Sequence, residues 1–142
     1  MIAIDTNLMV YAHRTGTPEH KAAKKAIEAA ISRGQGWGIV FSCLAEFWSI
    51  VTHPACVGGP SKPAQARRFL YALLQSGDGQ VWLPGPDFED RFLRLAEALG
   101  VAGPRIFDLQ IALIAFENGA QEIWTHDQHF VSLKGLRVHD PL

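Results

Sequence analysis

Short apolar segments with the composition of buried strands alternate with longer helical segments along this chain. Strands are predicted at residues 1–5, 37–41 and 80–83, and again at residues 122–125 and 136–139. Because each strand is a nearly continuous apolar run, both faces of the sheet should be covered. The alternation therefore predicts an α/β fold, a three-layer α/β/α sandwich around a short, mostly parallel sheet.

Helical periodicity and stop signals place five helices among these strands. They span residues 19–33, 43–53, 61–75, 87–99 and 104–118. Ser61 is the expected N-cap of the third helix, while Gly100 and Gly119 end the last two. With 142 residues the chain has the length of one domain, so a single domain over residues 1–142 is predicted.

One glutamate, Glu46, stands in the otherwise apolar or small-residue segment VFSCLAEFWSIV. A carboxylate is costly to bury unless something pairs with it or neutralises it. A capping box would place a glutamate three residues after the N-cap serine, but Ala45 stands three residues after Ser42. Glu46 therefore needs another explanation.

Three further acids fall at the positions where functional groups gather in such folds. Asp5 ends the first strand, Asp108 lies near the start of the apolar helix IFDLQIALIAF, and Asp127 directly follows the fourth strand. Glu46 lies in about the first turn of the helix after the second strand. In a parallel sheet these positions share the carboxyl edge, where ligands bind. Taken singly, each aspartate could instead be a turn or helix-terminus residue.

A cluster of carboxylates is unfavourable without compensation. Two of them about 5 Å apart repel by roughly 3 kcal/mol at an effective dielectric near 20. Either some hold protons or a cation lies among them. A site with only oxygen ligands suits Mg²⁺ or Mn²⁺, with several waters retained.

The chain resembles the PIN-domain family, and within it the VapC-type toxins of type II toxin–antitoxin pairs. The resemblance rests on IDTNLMVYAH, SCLAEFW, FDLQIAL, WTHDQHF and the ending RVHDPL, which follow the family order over the whole chain. It implies a Mg²⁺- or Mn²⁺-dependent endoribonuclease, usually a homodimer, that a small cognate antitoxin inhibits.

Carried over residue by residue, the family's acidic quartet falls on Asp5, Glu46, Asp108 and Asp127. Asn7 matches the polar residue of the first motif and Thr125 the threonine before the last acid. The resemblance departs at His129, where family members often have a further acid. A second metal ion should therefore be held less well.

The expected chemistry is hydrolysis of an RNA phosphodiester by a water that the metal activates, leaving 5′-phosphate ends. Asp5 and Asp108 are the expected direct ligands. Glu46 and Asp127 would act through waters or a second ion, and one of them could accept the proton of the attacking water. Asn7 and Thr125 would orient ligands or waters.

Positive charge for an RNA partner must be local, because the formal net charge is only −1. The candidate RNA-binding residues are Arg105, Lys24, Lys25 and Arg68, with Lys21 and Arg67 beside them. The lysines could instead be a solvated helix face, and Arg105 could form a salt bridge with the acids or be exposed to solvent. Trp37, Trp48, Trp82 and Trp124 lie in core-like segments and are predicted to pack inside rather than to stack on bases.

The remaining features bear on location and assembly. Cys43 and Cys56 form no CxxC pair and are expected as free thiols in a reducing cytoplasm. The N-terminus lacks a basic segment of the signal-peptide type, and no apolar run is long enough to span a membrane. Hydrophobic residues make up 48% of the chain, which favours an apolar surface patch and hence a dimer or an obligate partner.

Rival functions fit less well. A phosphatase of the haloacid-dehalogenase type would be expected to have the motif Asp-x-Asp after its first strand. This chain has Asn7 in place of the second aspartate. The pair His126-Asp127 could suggest an HD-type phosphohydrolase. Those enzymes resemble all-helical proteins, however, and this pair follows a predicted strand. The alternative from another class is a catalytically inactive PIN-like module that binds or regulates a partner, and His129 is its main support.

Overall fold

The computed structural model describes all 142 residues. Its strands are β1 (Ile2–Ile4), β2 (Trp37–Val40), β3 (Gln80–Trp82), β4 (Glu122–Trp124) and β5 (Arg137–His139). Its helices are α1 (Thr6–His13), α2 (His20–Ser32), α3 (Phe41–Thr52), α4 (Pro63–Gln75), α5 (Phe88–Leu99) and α6 (Arg105–Glu117).

The five strands form one parallel sheet in the order β3-β2-β1-β4-β5. The first strand of the chain is therefore its centre, pairing Ile2 with Trp37 on one side and with Glu122 on the other. Because all strands run the same way, their carboxyl ends form one edge. The predicted α/β architecture is confirmed, and the sheet is wholly rather than mostly parallel.

The core is one cluster of 29 buried residues. The central strand is buried throughout, and helix α6 contributes an unbroken buried run from Ile111 to Ala115. Trp37, Trp82 and Trp124 are buried, as predicted. The prediction was wrong for Trp48, which is 38% exposed.

Helix α1 was not predicted from the sequence. It follows β1 directly, and Asp5 is its N-cap, accepting a hydrogen bond from the backbone N–H of Thr6 at 2.7 Å. Three polar residues, Asp5, Thr6 and Asn7, separate β1 from the apolar residues 8–12 (LMVYA), which show no helical alternation of apolar and polar positions. The N-cap side chain, rather than apolar periodicity, marks the start of this helix.

Two helix starts also differ from their predictions. Helix α3 begins at Phe41, immediately after β2, so Ser42 lies inside the helix instead of capping it. Helix α4 has Lys62 as its N-cap, and the Lys62 N–H donates to the Gln65 side chain at 2.7 Å. Ser61 instead pairs its hydroxyl with the imidazole Nε2 of His13 at 2.8 Å.

Two further predictions concern membrane-spanning segments and the cysteines. None of the helices is both long enough and apolar enough to cross a membrane. Cys43 and Cys56 are free thiols, and Cys43 is buried.

Candidate active site

Asp5 is a buried carboxylate at the carboxyl end of the central strand. Its Oδ1 accepts from the Thr6 N–H, and its Oδ2 accepts from the Thr125 hydroxyl at 2.7 Å and from the Asn7 amide at 3.0 Å. Only 6% of the residue is exposed to solvent. The carboxylate is thus fixed by donors from the helix that it caps and from the segment after β4.

The ionisation of Asp5 is strongly perturbed. Burial raises the pKa of its carboxyl from 3.8 to about 6, against the opposing hydrogen bonds from Thr125 and Thr6. The negative charges of Glu46 and Asp108 contribute to this rise in the pKa, so both carboxylates lie within electrostatic reach. A cation placed among these groups would favour the ionised form of Asp5.

Glu46 lies in the second turn of α3, and its side chain reaches the same edge. Its Oε2 accepts a hydrogen bond from the Thr6 hydroxyl at 2.7 Å. The expectation that Glu46 is buried in an apolar segment was wrong. The buried stripe of α3 consists of Cys43, Phe47 and Val51, which leaves Glu46 on an exposed face.

Asp108 and Asp127 converge on one arginine. The Arg105 Nη1 donates to Asp108 Oδ2 at 3.1 Å and to Asp127 Oδ2 at 2.9 Å. The salt bridge considered for Arg105 from the sequence is therefore present. The hydrogen bonds to Asp108 and Asp127 raise the pKa of the Arg105 guanidinium.

Asp127 is held on both oxygens. Its Oδ1 accepts from the His129 backbone N–H at 2.8 Å, while its Oδ2 accepts from Arg105. Burial opposes its ionisation, but these two donors outweigh burial and lower the pKa of Asp127 below its ordinary value. Position 129, where members of the family that this chain resembles often have a further acid, thus contributes the backbone N–H of His129 as a donor.

Asn7 and Thr125 connect the two ends of the chain at this edge. The Asn7 Oδ1 accepts from the His126 N–H at 3.0 Å, and its Nδ2 donates to the Thr125 Oγ1 at 2.8 Å. The same Oγ1 accepts from the Asp127 N–H at 3.1 Å and donates to Asp5. These two side chains therefore orient the carboxylates on either side of them.

Sequence reasoning missed two residues of this site. Thr6 links Asp5 to Glu46 through its backbone N–H and its hydroxyl, and its position between Asp5 and Asn7 was the available signal. The buried Ser42 hydroxyl has no hydrogen-bond partner and lines a pocket of about 390 Å³ together with Glu46, Phe107 and Asp108. Ser42 begins the motif SCLAEFW, but Glu46 was the one residue of that motif predicted to belong to the site.

The other predicted RNA-binding residues lie away from the acids' hydrogen-bond network. Lys21, Lys24 and Lys25 are exposed on α2, and Arg67 and Arg68 are exposed on α4. None of them forms an ion pair with the quartet, and the Arg67 guanidinium lies over its neighbour Tyr71 at 5.5 Å. Among the predicted basic residues, only Arg105 contacts the acids.

The donor chemistry of this edge suits a hard divalent cation. All four acids offer carboxylate oxygens, and the unpartnered Ser42 hydroxyl provides a further oxygen beside Glu46 and Asp108. As the side chains stand, however, no three His, Cys, Asp or Glu side chains are grouped closely enough to hold one ion directly. Mg²⁺ often binds through one or two carboxylates and retained waters, so the residues fit such an ion in that manner.

The fold and the site together define a class of protein, a small parallel α/β domain with an acidic cluster at the carboxyl edge of its sheet. Residues 2–136 match the PIN domain, and the chain belongs to the PIN-domain family. Within the family it is a VapC-type protein, because the similar curated proteins are VapC ribonucleases.

Two relatives from Mycobacterium tuberculosis are similar over the whole chain. Ribonuclease VapC43 is 30% identical over 142 residues, covering 100% of this chain and 96% of the relative. Ribonuclease VapC33 is also 30% identical, covering 100% of this chain and 99% of the relative.

Solved structures support the fold at lower identity. VapC20 of M. tuberculosis, a toxin that cleaves the sarcin–ricin loop, superimposes with a TM-score of 0.68 at 16% identity over 92% of each chain. VapBC2 from Rickettsia felis, bound to a DNA fragment from its promoter, superimposes with a TM-score of 0.67 at 20% identity over 98% of each chain.

Proposed function

We propose that this protein is a Mg²⁺- or Mn²⁺-dependent endoribonuclease, the toxin component of a type II toxin–antitoxin pair. The observation that carries the proposal is the position of four carboxylates at one sheet edge, where Thr6 links Asp5 to Glu46 and Arg105 links Asp108 to Asp127. The Thr125 hydroxyl connects the two pairs, because it donates to the Asp5 carboxylate and accepts from the backbone N–H of Asp127. The ribonuclease activity of the VapC relatives gives the substrate class. One nuclease domain over residues 1–142, acting in the cytoplasm, completes the proposal.

The four acids have different roles in the proposed reaction. Asp5 and Asp108 would hold the divalent cation directly, while Glu46 and Asp127 would act through water. When bound, the divalent cation supplies activation of the attacking water and stabilisation of the charge that develops on the phosphate. Glu46 keeps an exposed carboxylate oriented by Thr6, so it is our candidate to accept the proton of the attacking water.

The neutral residues hold the acids in place for this chemistry. Asn7 and Thr125 fix the rotamer of Asp5 and the backbone beside Asp127. Positioning of this kind is needed because a displacement of about 1 Å can cost a hundredfold in rate. Lys24, Lys25 and Arg68 remain proposed contacts to more distant RNA phosphates.

A small cognate antitoxin and a second copy of this chain are the proposed protein partners. Phe41, Ala45 and Trp48 lie four and three residues apart on α3, and all are exposed. Phe107 at the start of α6 is 65% exposed and lines the pocket beside Glu46. An apolar surface of this extent beside a polar site favours a protein interface, and we propose that it contributes to a homodimer.

A catalytically inactive PIN-like binding module is the second candidate. It is favoured by His129 in place of an acid and by the absence of three closely grouped ligands. Against it, four carboxylates that repel one another are retained together with the hydroxyls that orient them. Cation binding separates the candidates, since an abandoned site has no reason to gain stability from Mg²⁺.

The decisive experiment is cleavage of a pool of structured RNAs with Mg²⁺ or Mn²⁺, compared with EDTA. The Asp108→Asn variant, purified in parallel, controls for contaminating ribonucleases. Asp90→Asn is the matched control, because it makes the same substitution in an exposed Arg–Asp pair on α5. We expect cleavage that requires both the metal and Asp108 and leaves 5′-phosphate ends. Metal-independent cleavage with cyclic phosphate ends would contradict the mechanism.

A further inference from the structure

Arg105 occupies a central position among the acids. One nitrogen, Nη1, donates to the Oδ2 atoms of both Asp108 and Asp127, so the two carboxylates point at the same cation. The second oxygen of Asp127 is fixed by the His129 N–H, and Asp108 Oδ2 also accepts from the Val131 N–H at 3.3 Å. These backbone donors orient both carboxylates toward the guanidinium.

The guanidinium and a divalent cation would compete for the same oxygens. A guanidinium and a metal ion are both positive, and like charges a few ångströms apart repel. Turning the Asp127 carboxylate away from Arg105 would also move Oδ1, which accepts from the His129 N–H at 2.8 Å. The simplest way for a cation to engage both acids is therefore for the arginine to leave.

Arg105 is also free to leave. It is the first residue of α6, its side chain is 42% exposed, and its only hydrogen bonds are those to Asp108 and Asp127. Arg91 offers a contrast, since it is held by both oxygens of Glu117 and by the Pro86 carbonyl. Rotation of the Arg105 side chain into solvent would break two bonds and leave the helix intact.

We propose that Arg105 is a displaceable counter-ion, which holds Asp108 and Asp127 together until a divalent cation, bound directly by Asp108 and through water by Asp127, displaces the guanidinium. The inference rests on the proposed metal-dependent function and adds an exchange step to it. Arg105 is a positioning residue in this scheme, and it lowers the metal affinity of the site.

The exchange has two measurable consequences. Arg105→Gln should bind Mg²⁺ at least about tenfold more tightly than the wild type, because a competing unit charge is removed at close range. The guanidinium of wild-type Arg105 should change from a restrained group, with slowly rotating nitrogens, to a freely rotating one as Mg²⁺ saturates the protein.

The experiment combines calorimetric titration of Mg²⁺ with NMR of ¹⁵N-labelled arginine side chains. Titrations use the wild type, Arg105→Gln, Arg105→Lys and the control Arg94→Gln, which removes the same formal charge at a remote ion pair. Loss of the signal in Arg105→Gln assigns the resonance. Arg105→Lys keeps the positive charge and serves if the Gln variant folds poorly, with a smaller gain in affinity expected.

The expected result is tighter Mg²⁺ binding by Arg105→Gln but not by Arg94→Gln. In the wild type, the Arg105 guanidinium should be released as Mg²⁺ saturates the protein. Unchanged or weaker binding by Arg105→Gln overturns the inference, as does a guanidinium that stays restrained at saturating Mg²⁺. In both cases a wild type that binds Mg²⁺ leaves the proposed function standing. If neither the wild type nor Arg105→Gln binds Mg²⁺ or Mn²⁺, the proposed metal site fails and the inference fails with it.

Discussion

Replacing Asp5 with asparagine tests the electrostatics of the site without relying on activity. Burial raises the pKa of Asp5 to about 6 from 3.8, the value expected in the unfolded chain. Between these pH values the folded protein keeps a proton that the unfolded chain releases. The stability that this proton contributes is therefore complete below pH 3.8 and is lost as the pH rises through 6.

The size of the effect follows from the shift. One pKa unit corresponds to 1.36 kcal/mol, so a shift of this size makes the wild type lose about 3 kcal/mol of unfolding free energy across the window. Asp5→Asn carries no titrating group at this position and lacks that loss. The absolute stability of the variant also changes, because Asn7 and Thr125 donate hydrogen bonds to the Asp5 carboxylate, and an amide has one acceptor oxygen instead of two. The informative quantity is therefore the difference in pH slope.

The assay is urea unfolding of both proteins in EDTA at several pH values from 4 to 8. We expect the stability curves to diverge by about 3 kcal/mol, with the wild type losing more as the pH rises. Parallel curves would refute the reasoning, since they would mean that Asp5 ionises equally easily in the folded and unfolded states. Repeating the wild-type series with Mg²⁺ should reduce the loss at high pH, because a bound cation stabilises the ionised carboxylate.

Three further predictions concern other parts of the molecule. Thr125→Val should destabilise the protein by about 1–3 kcal/mol in urea unfolding, because the carboxylate of Asp5 and the N–H of Asp127 lose a buried partner, whereas Thr125→Ser should keep most of the stability. In the folded protein Cys56 should react with a thiol reagent while Cys43 stays protected, because burial raises the pKa of the Cys43 thiol; equal reaction rates would contradict this assignment. Trp48→Glu should weaken the proposed homodimer in sedimentation analysis by placing a charge on the exposed face of α3, with Leu99→Glu on α5 as the control; an unchanged dimer would locate the interface elsewhere.

The order and type of the predicted elements followed from local sequence patterns. All five predicted strands are present, but the residues of β5 are all exposed and two of the three in β3 are exposed, so the expectation of buried apolar strands fails at the sheet edges. Gly100 and Gly119 marked the ends of α5 and α6 correctly. Helix α1 was not predicted because residues 8–12 (LMVYA) are apolar throughout and so show no helical alternation of apolar and polar positions. Its start depends on a single hydrogen bond to Asp5, which composition does not reveal.

The membership of the acidic cluster was also predictable, whereas its internal geometry was not. The rule that parallel strands share a carboxyl edge was enough to group Asp5, Asp108 and Asp127. The burial of Glu46 was misjudged because both faces of α3 are apolar, so composition did not distinguish the buried face from the exposed one. The bridging role of Arg105 depends on side-chain directions that spacing alone does not give.

The position of β1 at the centre of the sheet has a consequence for synthesis of the protein on the ribosome. The hydrogen bonds of the site join Thr6 to Glu46, 40 positions later, and Asp5 to Thr125, 120 positions later. A nascent chain carries Asp5 from the start, but its carboxylate gains the hydroxyl of Thr125 only after nearly the whole polypeptide has emerged. Because long-range contacts of this kind form late, incomplete chains should be harmless to the cell that makes them. The proposed toxin would thus become active only at the end of its own translation.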